Sequence, residues 1–165
     1  MNYINTSIIT RWQIATKTQP IQVKSLSSVL PEDSILHKFT LDTLEGKETL
    51  VEGSVICLGS AGDVWQQSPV KLLKKYTVTA IHANGWLTCT PIPDNSVDVF
   101  EILPSMTNND ATDTFIIGQY GETINGVKNV QRCVEGDFIC RSQTDHSDVW
   151  IVKRKIFLNT YKIVN

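Results

Sequence analysis

The sequence lacks any long apolar run and any large excess of charge of one sign. No stretch reaches the roughly 18 to 20 apolar residues that a membrane-spanning helix needs. Met1–Thr6 has neither the basic nor the apolar region of a signal peptide, so we expect a soluble protein of the cytoplasm with no membrane partner. A net charge of −2 and a pI near 5.9 argue against a sequence-independent nucleic-acid binder, which carries a basic excess.

Motifs of known chemistry are missing as well. The sequence has no nucleophile elbow, Walker loop, dinucleotide-binding glycine pattern or zinc-hydrolase signature. The four cysteines form no C-x-x-C pair, and Cys57 and Cys140 lie in apolar runs, which predicts buried thiols, with a disulfide or metal site as the alternative. His37, His82 and His146 have no partner at metal-binding spacing. We therefore expect no metal, no other cofactor and a non-enzymatic role.

The feature that the sequence does have is an internal repeat. Gly136–Asn165 matches Gly53–Val78, and each copy begins with the Gly of a Val-Glu-Gly sequence. The matched pairs are Cys57 and Cys140, Asp63 and Asp148, Trp65 and Trp150, and Tyr76 and Tyr161. We interpret the chain as a tandem duplication, with one repeat at residues 1–78 and another at 79–165, packed together about a pseudo-twofold axis.

Short strands and turns dominate the pattern of each half. Ile21–Leu26 alternates apolar and polar residues, and Asn84-Gly85 favours a tight hairpin turn. Ser68-Pro69 begins the clearest helix, with Ser as the N-cap and Pro in the first turn. The sequence therefore predicts a mainly β fold of the β-rich α+β class, with a small barrel or roll and one short helix in each repeat.

Basic and aromatic side chains recur in the repeat and are the candidate ligand-binding groups. One basic cluster follows each Asp-Val-Trp, and such twin clusters suit a ligand with two phosphates or an acidic partner surface. The alternatives are a solvated face for the basic residues and a place in the core for the aromatic ones, whose faces otherwise stack on bases. The predicted ligand-binding residues are Lys71, Lys74, Lys75, Trp150, Lys153, Arg154 and Lys155.

The second copy resembles a module of small phage proteins. Gly136–Ile139 and Ile156–Tyr161 match a G-D-x-I hairpin and an I-F-x-x-T-Y tail, and Pro20–Lys24 is similar to the opening strand. This C-terminal module is found in small uncharacterised proteins of phages and prophages. In the first copy Ser54 replaces the Asp, and Leu72–Leu73 replaces Ile-Phe. The resemblance implies a cytosolic accessory protein made inside a bacterial host, and it assigns no catalytic residue.

Three functional hypotheses remain. The leading one is a non-enzymatic phage-type protein that binds and sequesters an anionic small ligand such as a nucleotide signal, a counter-defence sponge, in a cleft between two halves or two copies. The second is an inhibitor that docks on a host bacterial protein through strand edges or Pro104–Asp113, the polar stretch that we predict to be the most mobile loop. The third is a nucleotide- or nucleic-acid-directed enzyme that uses His146 or Asp148, although neighbours in sequence do not by themselves set the geometry of a triad. Homo-oligomer formation stays open.

Overall fold

Two five-stranded antiparallel sheets form the body of the fold, and one short α-helix accompanies each sheet. The computed structural model describes residues 4, 6–26, 40–44, 46–93, 95–106, 115–117, 123–124, 127–128 and 131–164. The predominance of strands in these ranges confirms the predicted mainly β fold of the β-rich α+β class. None of the helices in these ranges is long and apolar enough to cross a membrane.

The first sheet is built from the segment between residues 21 and 91. Its strands lie in the spatial order β6 (Val64–Gln67), β5 (Val55–Leu58), β2 (Ile21–Ser25), β8 (Leu87–Pro91) and β7 (Tyr76–Ile81). Helix α1, Pro69–Lys75, connects β6 to β7. The turn at Asn84-Gly85 joins β7 to β8, and Gly85 has a φ of 86° there, which only glycine adopts without strain. The predicted hairpin is confirmed.

The second sheet combines the N-terminal strand with the C-terminal part of the chain. Its spatial order is β15 (Val149–Val152), β14 (Phe138–Ser142), β9 (Ser96–Glu101), β1 (Gln13–Lys17) and β16 (Tyr161–Val164). Helix α2, Arg154–Thr160, connects β15 to β16. Three two-stranded sheets complete the described part: β3 (Thr40–Thr43) with β4 (Gly46–Thr49), β10 (Phe115–Ile117) with β13 (Gln131–Cys133), and β11 (Thr123–Ile124) with β12 (Val127–Lys128).

The two large sheets have corresponding strand orders but a different chain connection at one position. In the first sheet, the strand beside β7 is its own hairpin partner β8. In the second sheet, the strand beside β16 is β1, which arrives from the other end of the chain and also pairs with β9. The predicted boundary between residues 78 and 79 therefore falls inside β7, and the predicted first repeat contains a strand of the second sheet. The division into two domains and the duplication itself stay predictions.

Each large sheet has its own apolar core, and the cysteines belong to these cores. Cys57 and Cys89 pack in the first sheet, and Cys140 packs in the second beside a stack of Phe138 on Phe157, whose ring centroids lie 3.8 Å apart. Cys133 is buried too, and all four thiols are free, which confirms the prediction of buried thiols. Burial raises the pKa of Cys57, Cys133 and Cys140 to about 12, so these thiols stay protonated and unreactive.

The two helices begin with different caps, and this difference explains a substitution between the copies. In α1 the backbone N–H of Lys71 donates to Ser68 Oγ over 3.1 Å, the N-cap bond that the sequence predicts. In α2 the N-cap residue Lys153 makes no side-chain cap bond. The buried Asp137 replaces it, because its carboxylate accepts from the backbone N–H of Arg154 over 3.1 Å and from Lys153 Nζ over 2.8 Å. The first copy has Ser54 where the second has Asp137, and it caps its helix locally.

Removing these two caps is expected to have unequal effects on stability. Ser68→Ala loses one cap bond and should lower the free energy of unfolding by about 1 kcal/mol. Asp137→Ala leaves two backbone N–H groups without their acceptor and the Lys153 ammonium with only the carbonyl of Arg132, and it should cost about 3 kcal/mol. Urea unfolding followed by circular dichroism measures both values. Equal costs for the two variants would contradict this description of the helix starts.

Candidate functional site

A cavity of about 450 Å³ lies between the two large sheets, a size that suits a small molecule. Corresponding segments of the two halves form its walls. Trp65 and Trp150 line it from β6 and β15, and Tyr76 and Tyr161 line it from the first positions of β7 and β16. These four aromatic residues therefore meet at one cavity while also packing on the two cores, Trp65 and Tyr76 on the first and Trp150 and Tyr161 on the second.

Lys17 places a cation among these rings. It is the last residue of β1, where the register of the sheet sets it opposite Tyr161. Its Nζ lies 4.6 Å from the ring centroid of Trp65, 5.3 Å from that of Tyr76 and 5.5 Å from that of Tyr161. These distances are within the range of cation–π attraction. In the described ranges no carboxylate oxygen lies within 4.0 Å of this Nζ, and no hydrogen bond from it is found.

The surroundings of Lys17 lower the pKa of its ammonium group. Desolvation lowers the pKa of Lys17 from 10.5 to about 8, and the nearby charge of Lys75 acts in the same direction. The Asp63 carboxylate opposes this shift, as do the three aromatic rings, because their faces attract the ammonium form. Lys17 is therefore still mainly a cation at neutral pH, half-buried on the wall of a cavity and without a paired anion among the described residues.

The other two cations of the cavity are paired across the junction of the two halves. Lys71 Nζ lies 3.5 Å from Asp148 Oδ1, and Lys75 Nζ lies 3.8 Å from Asp148 Oδ2. Lys75 Nζ is also 4.0 Å from the ring centroid of Trp150. Desolvation lowers the pKa of Lys75, which Asp148 partly offsets. Helix α1 of the first half is thus tied to the start of β15 in the second half.

Four acidic side chains line the cavity, against three lysines. Besides Asp148, its walls include Glu48, Asp63 and Asp145. Asp63 is folded back over Gly59, where an added Cβ would overlap Asp63 Oδ1. That Oδ1 and the hydroxyl of Tyr76 are buried without a hydrogen-bond partner in the described part of the chain. The unpaired positive charge is therefore local to Lys17 and is not spread over the whole surface of the cavity.

A second polar contact between the halves forms another part of the wall. The buried carboxylate of Glu48, on β4, accepts from Gln66 Nε2 and from Gln131 Nε2, each over 3.4 Å. Both glutamines are fixed by backbone bonds, since Gln66 Oε1 accepts from the N–H of Val51 and Gln131 Oε1 from the N–H of Ile151. Desolvation raises the pKa of Glu48. This network makes the wall rigid where β4, β6 and β13 come together.

The seven predicted ligand-binding residues fall into two groups. Lys71, Lys75 and Trp150 line the cavity, whereas the other four do not. Lys153 pairs with Asp137, and Arg154 NH1 donates to Glu101 over 2.5 Å. Lys74 and Lys155 are exposed outside the cavity. The twin basic clusters that the sequence predicts therefore do not come together.

Helix position explains this separation. The two lysines of α1 that line the cavity are Lys71 and Lys75, which lie one helical turn apart. Counted back from Tyr76 and Tyr161, their counterparts in α2 are Ile156 and Thr160. The basic residues of the second copy are instead Lys153, Arg154 and Lys155, at the start of α2, where the first two serve its cap and the Gly136 turn.

Neither of the two described histidines lines the cavity. His82 shares a hydrogen bond of 2.7 Å with Thr88, and His146 lies in an exposed turn. His37 lies outside the described residues, as do positions 107–113 of the predicted mobile loop, whose first residues Pro104–Met106 form a 3-10 helix. In the described ranges no group of three or more His, Cys, Asp or Glu side chains is placed to hold a metal ion.

Lys17 is the cavity residue that sequence reasoning missed. It has no counterpart among the repeated lysines and stands alone at the end of a short strand near the N-terminus. Only the pairing of β1 with β16 brings it beside Tyr161, and that pairing joins residues far apart in the chain. A local pattern therefore contains no signal for its role.

Comparisons with known proteins found no match to this chain among protein-family models, curated proteins or solved structures. The resemblance to phage and prophage proteins thus stays a prediction, and the function is argued from the cavity itself.

Replacing Lys17 by methionine is expected to stabilise the protein in a pH-dependent way. Lys17 has a lowered pKa of about 8 in the folded chain, so the unfolded chain holds this proton more tightly. The lowered pKa therefore reduces the free energy of unfolding. This reduction is complete below pH 8 and disappears as the pH rises toward 10.5. Lys17→Met should therefore raise the free energy of unfolding by about 1 kcal/mol at pH 7, after allowance for solvent and for the lost cation–π contacts.

Urea unfolding at pH 7 and pH 10 measures this difference. The matched control is Lys24→Met, which removes an ammonium 5.8 Å from the ring centroid of Trp86 outside the cavity. We expect the gain from Lys17→Met to shrink by pH 10. A gain that is the same at both pH values, or that equals the effect of Lys24→Met, contradicts the environment described for Lys17.

Proposed function

We propose that the chain is a non-enzymatic binding protein whose cavity holds a small anionic ligand with a flat ring, such as a nucleotide signal. The observation that supports this function best is the unpaired ammonium of Lys17 on the wall of an aromatic cavity. A buried or half-buried charge is costly without a partner, and an anionic ligand supplies that partner. The ligand would gain a charge-assisted contact that the protein does not provide for itself.

The walls suit the remainder of such a ligand. A base or another flat ring would stack on Trp65 or Trp150 by displacing the ammonium group that lies over that ring, Lys17 at Trp65 and Lys75 at Trp150. Lys71 and Lys75 offer a second cationic position, at the expense of their contacts with Asp148. Because Asp148 repels an anion, we expect the strongest contact at Lys17 and a weaker one at this pair. A ligand with one main acidic group fits this charge distribution better than one with two distant phosphates.

Sequestration fits the chemistry of the side chains better than turnover does. The thiols of Cys57 and Cys140, which act on the pKa of Lys17, are kept protonated by burial, with pKa values of about 12. Asp148, which the enzymatic alternative would use, is already engaged by Lys71 and Lys75. In the context that the sequence resemblance implies, the protein would act in the cytoplasm of a bacterial host as an accessory protein of a phage, removing a signal from a defence pathway.

A second candidate function is docking on a host protein through a strand edge. Strands β7 and β16 end the spatial order of the two large sheets, and both expose apolar side chains. Ile81 is 80% exposed on β7, and Ile163 and Val164 are each 36% exposed on β16. Exposed apolar residues on edge strands favour pairing with a strand of another chain. A second copy of this chain is one such partner, so homo-oligomer formation also stays a proposal.

Calorimetric titration with a panel of anionic nucleotides tests the proposed ligand class. At pH 7 and low salt we expect one member to bind, and Lys17→Met to weaken its affinity by about 10-fold or more, since a hydrogen bond to a charged group contributes about 1.5 to 3 kcal/mol. Lys155→Met, outside the cavity, is the matched control and should bind as the wild type does. Affinity should also fall above pH 8, where Lys17 loses its proton.

Two results would overturn the proposal. One is a wild-type protein that retains no member of the panel, either in the titration or after release by heat and mass spectrometry. The other is a nucleotide that binds Lys17→Met as tightly as it binds the wild type. A host protein that co-purifies in stable form through β7 or β16 would favour the docking function instead.

A further inference from the structure

The amine of Lys17 is unusual among the lysines that the structure describes in what surrounds it. It lines the cavity, it has three aromatic rings within 5.5 Å, and among the described residues it has no carboxylate oxygen within 4.0 Å and no hydrogen bond. Lys71, Lys75 and Lys153 are each held in an ion pair. An amine with no fixed partner is free to approach a bound molecule and to form a bond with it.

Burial of Lys17 increases the fraction of its neutral form, because desolvation outweighs the opposing charge of Asp63. The titratable groups that act on it are Asp63, Lys75, Cys57 and Cys140, and the two thiols are themselves protonated. With a pKa of about 8, the neutral amine is roughly 200-fold more abundant at pH 7.5 than in a lysine of pKa 10.5. If amines follow the dependence of nucleophilicity on basicity known for thiolates, the lower basicity offsets about one order of magnitude of this advantage.

We propose that Lys17 is a site of reversible covalent capture, at which the cavity binds an aldehyde as an imine. The aromatic rings around the amine favour a flat, conjugated aldehyde. The lysines of α1 on the same cavity wall favour one that also carries an acidic group. This activity does not depend on the proposed nucleotide ligand, because it requires only the neutral amine and access to the cavity.

The reaction balances without any further reagent. The lone pair of neutral Nζ attacks the carbonyl carbon, and the π electrons of the carbonyl move to its oxygen. Transfer of a proton from nitrogen to that oxygen gives a carbinolamine, which loses its hydroxyl group with a proton as water and forms the C=N bond. Addition of water reverses these steps. The rings of Trp65, Tyr76 and Tyr161 cover the amine and restrict water around the bond, which favours the imine.

Reductive trapping with site mapping tests this proposal. The full chain is treated at pH 7.5 with limiting 4-carboxybenzaldehyde and sodium cyanoborohydride, which converts the imine into a stable secondary amine, and the modified peptides are identified by mass spectrometry. We expect labelling of Lys17 to exceed that of any other lysine by about 10-fold. The labelling of Lys17 should level off above pH 8, while that of exposed lysines such as Lys47 continues to rise.

Two variants and a second aldehyde test whether the label depends on the amine of Lys17 and on the carboxylate of the aldehyde. Lys17→Arg keeps the charge but should abolish the preferred label, whereas Lys24→Arg, beside the ring of Trp86, should leave it unchanged. Benzaldehyde, without the carboxylate, should label Lys17 less efficiently. Labelling of the wild type that is spread over exposed lysines with no preference for Lys17 overturns the proposal, whether or not Lys17→Arg folds. Since no nucleotide is present, the outcome is independent of the anionic-ligand test.

Discussion

The pairing of β1 with β16 is the contact on which the candidate site depends. It joins residues from opposite ends of the chain, in a register that sets Lys17 opposite Tyr161. The backbone N–H of Thr18 continues it by donating to the carbonyl of Thr160 over 2.8 Å. Without this pairing the second core would lose Ala15, and the cavity would lose its unpaired cation. Formation of the site therefore requires the N-terminal strand to pair in this register.

The two halves supply similar frameworks and different charges. Each half brings a Trp and a Tyr to the cavity at corresponding positions, so the aromatic walls are similar on the two sides. The charges of the two sides differ. Helix α1 presents two lysines to the cavity where α2 presents Ile156 and Thr160. Lys17 on β1 lies opposite Tyr161, whereas Pro91 on β8 lies at the corresponding place opposite Tyr76. A ligand between the halves therefore meets an asymmetric surface, which gives it one preferred orientation.

Features encoded by neighbouring residues could be predicted from the sequence, and features that join distant residues could not. The Ser68 cap and the Asn84-Gly85 hairpin each depend on neighbouring residues, and the structure contains both as the sequence predicts. The partner of β1 was not predictable, because a short strand of mixed residues pairs equally well with many others. For the same reason the sequence does not predict a role for Lys17. It also predicts a ligand-binding role for Lys153, although this lysine forms an ion pair with Asp137, which lies 16 residues away in the chain.

The side-chain nitrogen of Lys17 provides the most direct test of the central claim, that this lysine is a cavity cation without a partner. Heteronuclear NMR of protein labelled at lysine Nζ follows its titration, with Lys17→Arg to assign the signal. We predict a midpoint near pH 8 that moves upward when an anionic ligand fills the cavity, since the ligand stabilises the charged form. A midpoint at the ordinary value of 10.5, unchanged by any anion, would contradict the claim.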